Sequence, residues 1–126
     1  MKQIKEILSP SRLSEILENL GNLKIGVVGD MALDAYWYAD LTKSLLSRET
    51  PRFPRPVIRE RYAPGAGANV AQNLKANGVG EVYCISIIGK DWRGDILEQE
   101  LVKLGILTGC FIKTSERVTS TYIKPI

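Results

Sequence analysis

Histidine is absent from these 126 residues. That removes imidazole general bases, histidine metal ligands and every Ser-His-Asp triad at once. Cysteine occurs twice, at Cys84 and Cys110. Neither belongs to a Cys-x-x-Cys pair and both have apolar neighbours, so two buried, reduced thiols and a cytoplasmic location are expected. No apolar run approaches the roughly 20 residues of a membrane helix, and the charged N-terminus (Lys2, Lys5, Glu6) lacks a signal-peptide pattern. A net charge of +3 is too small to argue for nucleic acid. No Gly-x-x-x-x-Gly-Lys-Ser/Thr stretch exists, which excludes a P-loop. With 44% apolar and 25% charged residues, the composition is that of one globular domain with a modest core.

The periodicities that are present alternate between strand and helix. Residues 10–20 carry Leu13, Ile16, Leu17 and Leu20 at helical spacing, with Ser9 or Ser11 as a cap and Gly21 as a stop. This predicts a packing helix. Lys24-Ile25-Gly26-Val27-Val28-Gly29-Asp30 reads as a buried strand, with Asp30 and Asp34 following its C-terminal end. Ligands of open α/β sheets bind at such ends; the alternative for both aspartates is solvation of a turn. Tyr36, Trp37 and Tyr38 suit a short strand. Pro51, Pro54 and Pro56 exclude a helix or central strand over 40–56.

Between residues 43 and 62 six basic side chains (Lys43, Arg48, Arg52, Arg55, Arg59, Arg61) meet two acidic ones (Glu49, Glu60). A solvated surface explains this, as does attraction of a phosphorylated ligand by guanidinium groups, with Arg59 and Arg61 as the candidates. Val57–Tyr62 predicts a strand, residues 67–77 a helix with Val70, Ala71 and Leu74 inward, and Val82–Ile88 a second buried strand. Asp91 is the expected N-cap of a helix with Ile96, Leu97, Leu101 and Leu104 as its stripe, stopped by Gly105. Residues 106–113 and 118–124 read as two more strands. Such alternation argues for a mainly parallel sheet covered by helices.

The most informative stretch is Pro64-Gly65-Ala66-Gly67-Ala68-Asn69-Val70-Ala71. Two glycines without Cβ admit positive φ and close approach of a ligand to the backbone. The helix start behind them presents unpaired N–H groups. Asn69 offers donors and acceptors to a polyhydroxyl ligand, or it simply caps the helix. A dinucleotide fingerprint fails, because Val70 stands at its third glycine position.

Val27-Val28-Gly29-Asp30 with Asp34, the glycine stretch, and Gly89-Lys90-Asp91-Trp92-Arg93-Gly94 together resemble the N-terminal half of the ribokinase/PfkB family of carbohydrate kinases. Gly-Asp-Met-Ala-Leu-Asp-Ala-Tyr-Trp-Tyr and the proline-rich segment are most similar to the family's heptose 7-phosphate kinases. The resemblance implies a ribokinase-like α/β/α sandwich, present in part, with a small β lid over about 34–40 and 56–63. Residues 1–22 would be a helical extension and 23–126 the domain's N-terminal part. Asp34 would bind sugar hydroxyls, Gly65, Gly67 and Asn69 would hold the sugar, and Asp30, Arg59 and Arg61 are further substrate or phosphate candidates. Pro64-Gly65 stands for the family's glycine pair, and Ala66 is expected to forgo the positive-φ option.

The same resemblance implies a catalytic aspartate, ATP and Mg²⁺ in a C-terminal half outside this chain. Neither cofactor is then expected to bind this chain alone. Expected partners are a sugar or sugar phosphate, the missing half, and a second copy through the lid or an exposed sheet. A non-catalytic dimerisation or binding module is the competing expectation.

Overall fold

In the computed structural model, which describes residues 8–126, the elements follow in the order α1 (Pro10–Asn19), β1 (Lys24–Val28), β2 (Met31–Ala39), β3 (Val57–Ala66), α2 (Gly67–Ala76), β4 (Glu81–Gly89), α3 (Trp92–Lys103), β5 (Leu107–Thr114) and β6 (Thr121–Pro125). Residues 1–7, part of the expected N-terminal extension, lie outside the described residues. Short 3₁₀ turns occupy Leu20–Asn22 and Leu41–Lys43. The proline-bearing remainder of 40–56 is irregular, as three residues without a free φ or an N–H require.

Two three-stranded sheets result. The main sheet has the order β1-β4-β5 and is all parallel. The second has the order β3-β2-β6, with β3 antiparallel and β6 parallel to β2. This second sheet is the lid. Its strands run further than the segments 34–40 and 56–63 inferred from the sequence, and it gains a third strand, Thr121–Pro125. The predicted strand 118–124 therefore starts later and joins the lid, not the main sheet.

Helices α2 and α3 cover one face of the main sheet. Their Ala68, Ala71, Leu97 and Leu101 form one core with Val82, Cys84 and Ile88 of β4, Ile106, and Met31 and Leu33 of β2. Each of the larger apolar side chains contributes about 1.5–3 kcal/mol through burial. Asp91 caps α3 as expected, accepting from Gly94 N–H at 2.8 Å, and Gly105 ends it at φ +71°. Chain parity decides the rest. Ile25 and Val27 point to the helical layer, whereas Val28 is 75% exposed, and Ile85, Ile87 and Ile112 join it on the opposite face.

That opposite face is bare among the described residues, which corrects the expectation of two buried strands: each is buried on one face only. Four further expectations fail for related reasons. Val70 is 51% exposed, because Ala68 and Ala71 instead define the inner face of α2. Leu104 is exposed at the C-terminal end of α3. None of the α1 stripe is buried, with Leu13, Ile16 and Leu17 all exposed. Ser9 nevertheless caps α1, accepting from Arg12 N–H at 3.2 Å. Cys84 is buried but Cys110 is exposed, since β5 turns it to the bare face.

Candidate functional site

Strand β2 is the middle strand of the lid, so each of its residues has neighbours on both sides. Its first residues belong to the core: Met31, Ala32, Leu33 and Ala35 are at most 2% exposed. Asp34 sits where the strand leaves that core, pointing to the other face with Tyr36 and Tyr38, as strand alternation requires. Across from it, β6 supplies Lys124, whose Nζ lies 2.6 Å from Asp34 Oδ2 and 3.3 Å from the Tyr36 hydroxyl. The bond to Asp34, and second the one to Tyr36, holds the Lys124 ammonium above its ordinary pKa. Among the described residues no hydrogen bond reaches Asp34 Oδ1, so that oxygen can accept from a ligand hydroxyl.

Gly65 lies beside this carboxylate. A Cβ there would stand 2.9 Å from Asp34 Oδ1, so any side chain at this position would have to displace that carboxylate. The glycine stretch is not a free turn. Gly65 pairs with Ala32 and Ala66 with Met31, so β3 runs straight into α2. Neither Gly65 nor Gly67 takes positive φ. Ala66 does, at φ 50° and ψ −127°, in the position before α2. This corrects the expectation that the glycines supply the left-handed step and that Ala66 forgoes it. The glycines serve close approach instead: Gly67 N–H donates to Asp30 C=O at 2.9 Å, and a Cβ on Gly67 would meet that oxygen at 2.9 Å.

Asn69 does not cap α2, because the cap position is Ala66. It lies exposed in the first turn, and its carboxamide makes no hydrogen bond among the described residues. Asp30 is set apart from Asp34. Its carboxylate lies 3.7 Å from Arg117 and lines an open pocket of about 410 Å³ on the bare face, floored by Val28, Ile85, Ile87 and Ile112. Arg59 and Arg61 lie over Tyr38 and Tyr36, at 3.9 and 4.0 Å from the ring centroids, on the same lid face as Asp34. The structure thus brings together Asp34, Gly65 and Arg61, and adds Lys124 and Tyr36. Sequence reasoning missed Lys124, because nothing local announces that β6 pairs with a strand almost 90 residues earlier.

A second cluster fixes the route of β6. Asp91 Oδ2 accepts from Thr119 N–H at 2.8 Å, and the buried Thr119 hydroxyl accepts from Gly89 N–H at 2.9 Å. Burial pushes the Asp91 carboxyl up, but the N–H groups of Thr119 and Gly94 outweigh it and hold the group below its ordinary pKa.

A parallel sheet with helices, a strand lid and a glycine step into a helix beside a lone carboxylate define a ribokinase-like sugar-kinase fold, present in part. The chain is similar to a portion of curated heptose 7-phosphate kinases and of solved carbohydrate kinases. It is 32% identical over 100 residues to the bifunctional protein HldE of Bradyrhizobium, covering 77% of this chain and 19% of that protein. It is 31% identical over 105 residues to the D-beta-D-heptose 7-phosphate kinase of Bordetella bronchiseptica, covering 81% of this chain and 32% of that protein. The chain therefore spans less than a third of these curated relatives.

Among solved structures, a carbohydrate kinase from Agrobacterium tumefaciens matches with a TM-score of 0.61 at 22% identity, over 82% of this chain and 31% of that one. A sugar kinase from Pyrococcus horikoshii in complex with ATP matches with a TM-score of 0.54 at 25% identity, over 78% of this chain and 29% of that one. No protein-family model matches the chain. No helix among the described residues is long and apolar enough to cross a membrane.

Proposed function

We propose that this chain is the sugar-binding N-terminal portion of an ATP-dependent carbohydrate kinase of the heptose 7-phosphate kinase type. The observation that carries this reading is the pairing of Asp34 with Gly65: a carboxylate with one oxygen fixed by Lys124 and the other open beside a residue where a side chain would displace it. A carboxylate so placed accepts from sugar hydroxyls, and Asn69 on the first turn of α2 offers both a donor and an acceptor nearby in sequence. Holding the sugar in one orientation is the chain's share of catalysis, a proximity contribution.

The transfer of a γ-phosphate to a sugar hydroxyl is assigned to the complete enzyme.

The test is calorimetric titration of the chain and of Asp34→Ala with heptose 7-phosphate and fructose. A hydrogen bond to a charged group is worth about 1.5–3 kcal/mol, so sugar affinity should fall roughly 10- to 150-fold in the variant. Undiminished affinity would overturn the assignment. A second reading, a dimerisation or binding module that retains part of the kinase fold, draws on the bare apolar face of Val28, Ile85, Ile87 and Ile112. Sedimentation analysis separates the two readings. A dimer that binds no sugar supports the module, and a sugar-binding chain of either size supports the kinase portion.

A further inference from the structure

Strand β6 holds its place in the lid with little help from its own side chains. It is five residues long, pairs with β2 alone among the described strands, and buries none of its residues. A strand so exposed specifies its register weakly, and a slip of one residue turns every side chain to the opposite face. Here Asp34 pairs with Tyr122 and Tyr36 with Lys124. One residue of slip would carry Lys124 away from Asp34 and put Ile123 or Pro125 in its place.

The register is fixed upstream, at Thr119. This is the one buried polar side chain among the described residues, 2% exposed. Its hydroxyl accepts from Gly89 N–H at 2.9 Å, and its own N–H donates to Asp91 Oδ2 at 2.8 Å. The other Asp91 oxygen accepts from Gly94 N–H. A helix cap needs only that last bond. The Oδ2 bond instead reaches 28 residues along the chain, to the turn that leads into β6. Two glycines make the room: a Cβ on Gly94 would stand 2.9 Å from the Thr119 hydroxyl, and one on Gly89 2.8 Å from Thr119 N. Directly after, Ser120 C=O accepts from Leu33 N–H at 2.9 Å and Thr121 opens the strand.

We propose that Asp91 and Thr119 form a latch that sets the register of β6, and that both are positioning residues for sugar binding, acting on Asp34 through Lys124. This rests on the reading of Asp34 as the sugar-binding carboxylate. With the latch closed, Lys124 Nζ holds Asp34 Oδ2 at 2.6 Å, so Oδ1 meets a ligand in one orientation. With the latch broken, β6 keeps only backbone bonds that a shifted register also satisfies, and Asp34 loses its fixed cation. The ordering cost then falls on ligand binding, although no group that touches the ligand has been removed.

The experiment combines calorimetric titration with heptose 7-phosphate, thermal melts, and the carboxyl ¹³C resonance of Asp34 in the ligand-free chain. Asp91→Asn keeps one acceptor for the Gly94 cap and puts an NH₂ group where Oδ2 was. Thr119→Val removes the hydroxyl at nearly constant shape, and Thr119→Ser restores it. Both latch-breaking variants should weaken sugar binding at least fivefold and move the Asp34 resonance toward its position in Lys124→Met. Thr119→Ser should stay within about twofold of wild type. Leu101→Val, which lowers stability from the core, should leave affinity and resonance unchanged. In a Lys124→Met background, breaking the latch should cost less than twofold more, because the two changes act on one path. Thr119→Val leaves the α3 cap intact and keeps the test open if Asp91→Asn fails to fold.

A lower melting temperature with wild-type affinity and an unmoved Asp34 resonance would reduce Asp91 to a helix cap and overturn the latch. Fully additive losses with Lys124→Met would overturn its route through that residue. Absence of sugar binding by the folded wild-type chain would overturn the reading of Asp34, while the ligand-free resonance would still decide the latch.

Discussion

Replacing Ala66 by glycine should stabilise this chain, although alanine-to-glycine changes ordinarily do the reverse. Ala66 is the single non-glycine residue with positive φ among the described residues, at φ 50° and ψ −127°. These are the angles of the first central residue of a type II′ turn, a place that glycine dominates. An L-residue held there stores about 1–3 kcal/mol of strain. Glycine relieves it and gives back about 0.4–1 kcal/mol through its greater freedom in the unfolded chain. The net expectation is about 1 kcal/mol of stabilisation, or roughly 4 °C in Tm for a chain of this size.

The conformation is imposed from both sides, which is why it persists. Ala66 pairs with Met31 as the last residue of β3, and the next residue donates its N–H to Asp30 C=O. Urea unfolding of Ala66→Gly, with an unchanged m-value, is the assay. Ala68→Gly is the control, since Ala68 is buried within α2 and should lose about 1 kcal/mol or more. Destabilisation of Ala66→Gly by a similar amount would refute the strain argument and mean that the step into α2 has ordinary dihedrals.

Gly89→Ala should destabilise by about 3 kcal/mol or more, because its Cβ would stand 2.6 Å from Arg117 C=O and 2.8 Å from Thr119 N. Gly109→Ala, with nothing within 4 Å, should stay within about 0.5 kcal/mol; chemical denaturation of the two compares them directly. The lowered pKa of Asp91 gives a pH dependence of known sign. The charged form is favoured by folding, so this stability is full above the unfolded carboxyl pKa of about 3.9 and is lost as pH falls through the lower folded value. Thermal melts from pH 6 to pH 2.5 should show that loss in the wild type and a smaller one in Asp91→Asn; equal slopes would exclude Asp91 as its source. Burial pushes the Cys84 thiol up to about 11, whereas Cys110 is exposed. Disulfide-exchange labelling at pH 8 should therefore modify one thiol per native chain quickly and the second only in denaturant, and two fast thiols would contradict the burial of β4.

Local rules made the main frame legible. Asp91 as an N-cap, Gly105 as a helix stop and the prolines of 51–56 act within a few residues, and each does in the structure what its chemistry predicts. The need for space at Gly65 was also readable, since a residue without Cβ ahead of a helix points to close approach. What stayed hidden depends on partners distant in sequence. Val28, Ile85, Ile87 and Cys110 look like core residues in any apolar count, yet parity sends them to the face that α2 and α3 do not cover. Ala66 defied the glycine rule because tertiary contacts overrode its local preference. Lys124 has no local signal, and only the parallel register of β6 on β2 brings it to Asp34.

The position of Asp34 along β2 explains how a chain with a modest core can hold a partly exposed carboxylate in one place. One residue earlier, Leu33 is fully buried, and an aspartate there would face the full cost of desolvation. Further out, Tyr36 to Ala39 are only partly buried, where an unanchored side chain would sample several rotamers. At residue 34 the strand is still fixed by the core on its other face, while the carboxylate reaches solvent and a cation from β6. That cation arrives only because Asp91, Gly89 and Thr119 steer the chain from the end of the main sheet into the lid. The geometry of Asp34 is thereby tied to hydrogen bonds made by residues 89–119. A change in that second cluster should disturb Asp34 through β6 while leaving every residue adjacent to Asp34 in sequence untouched.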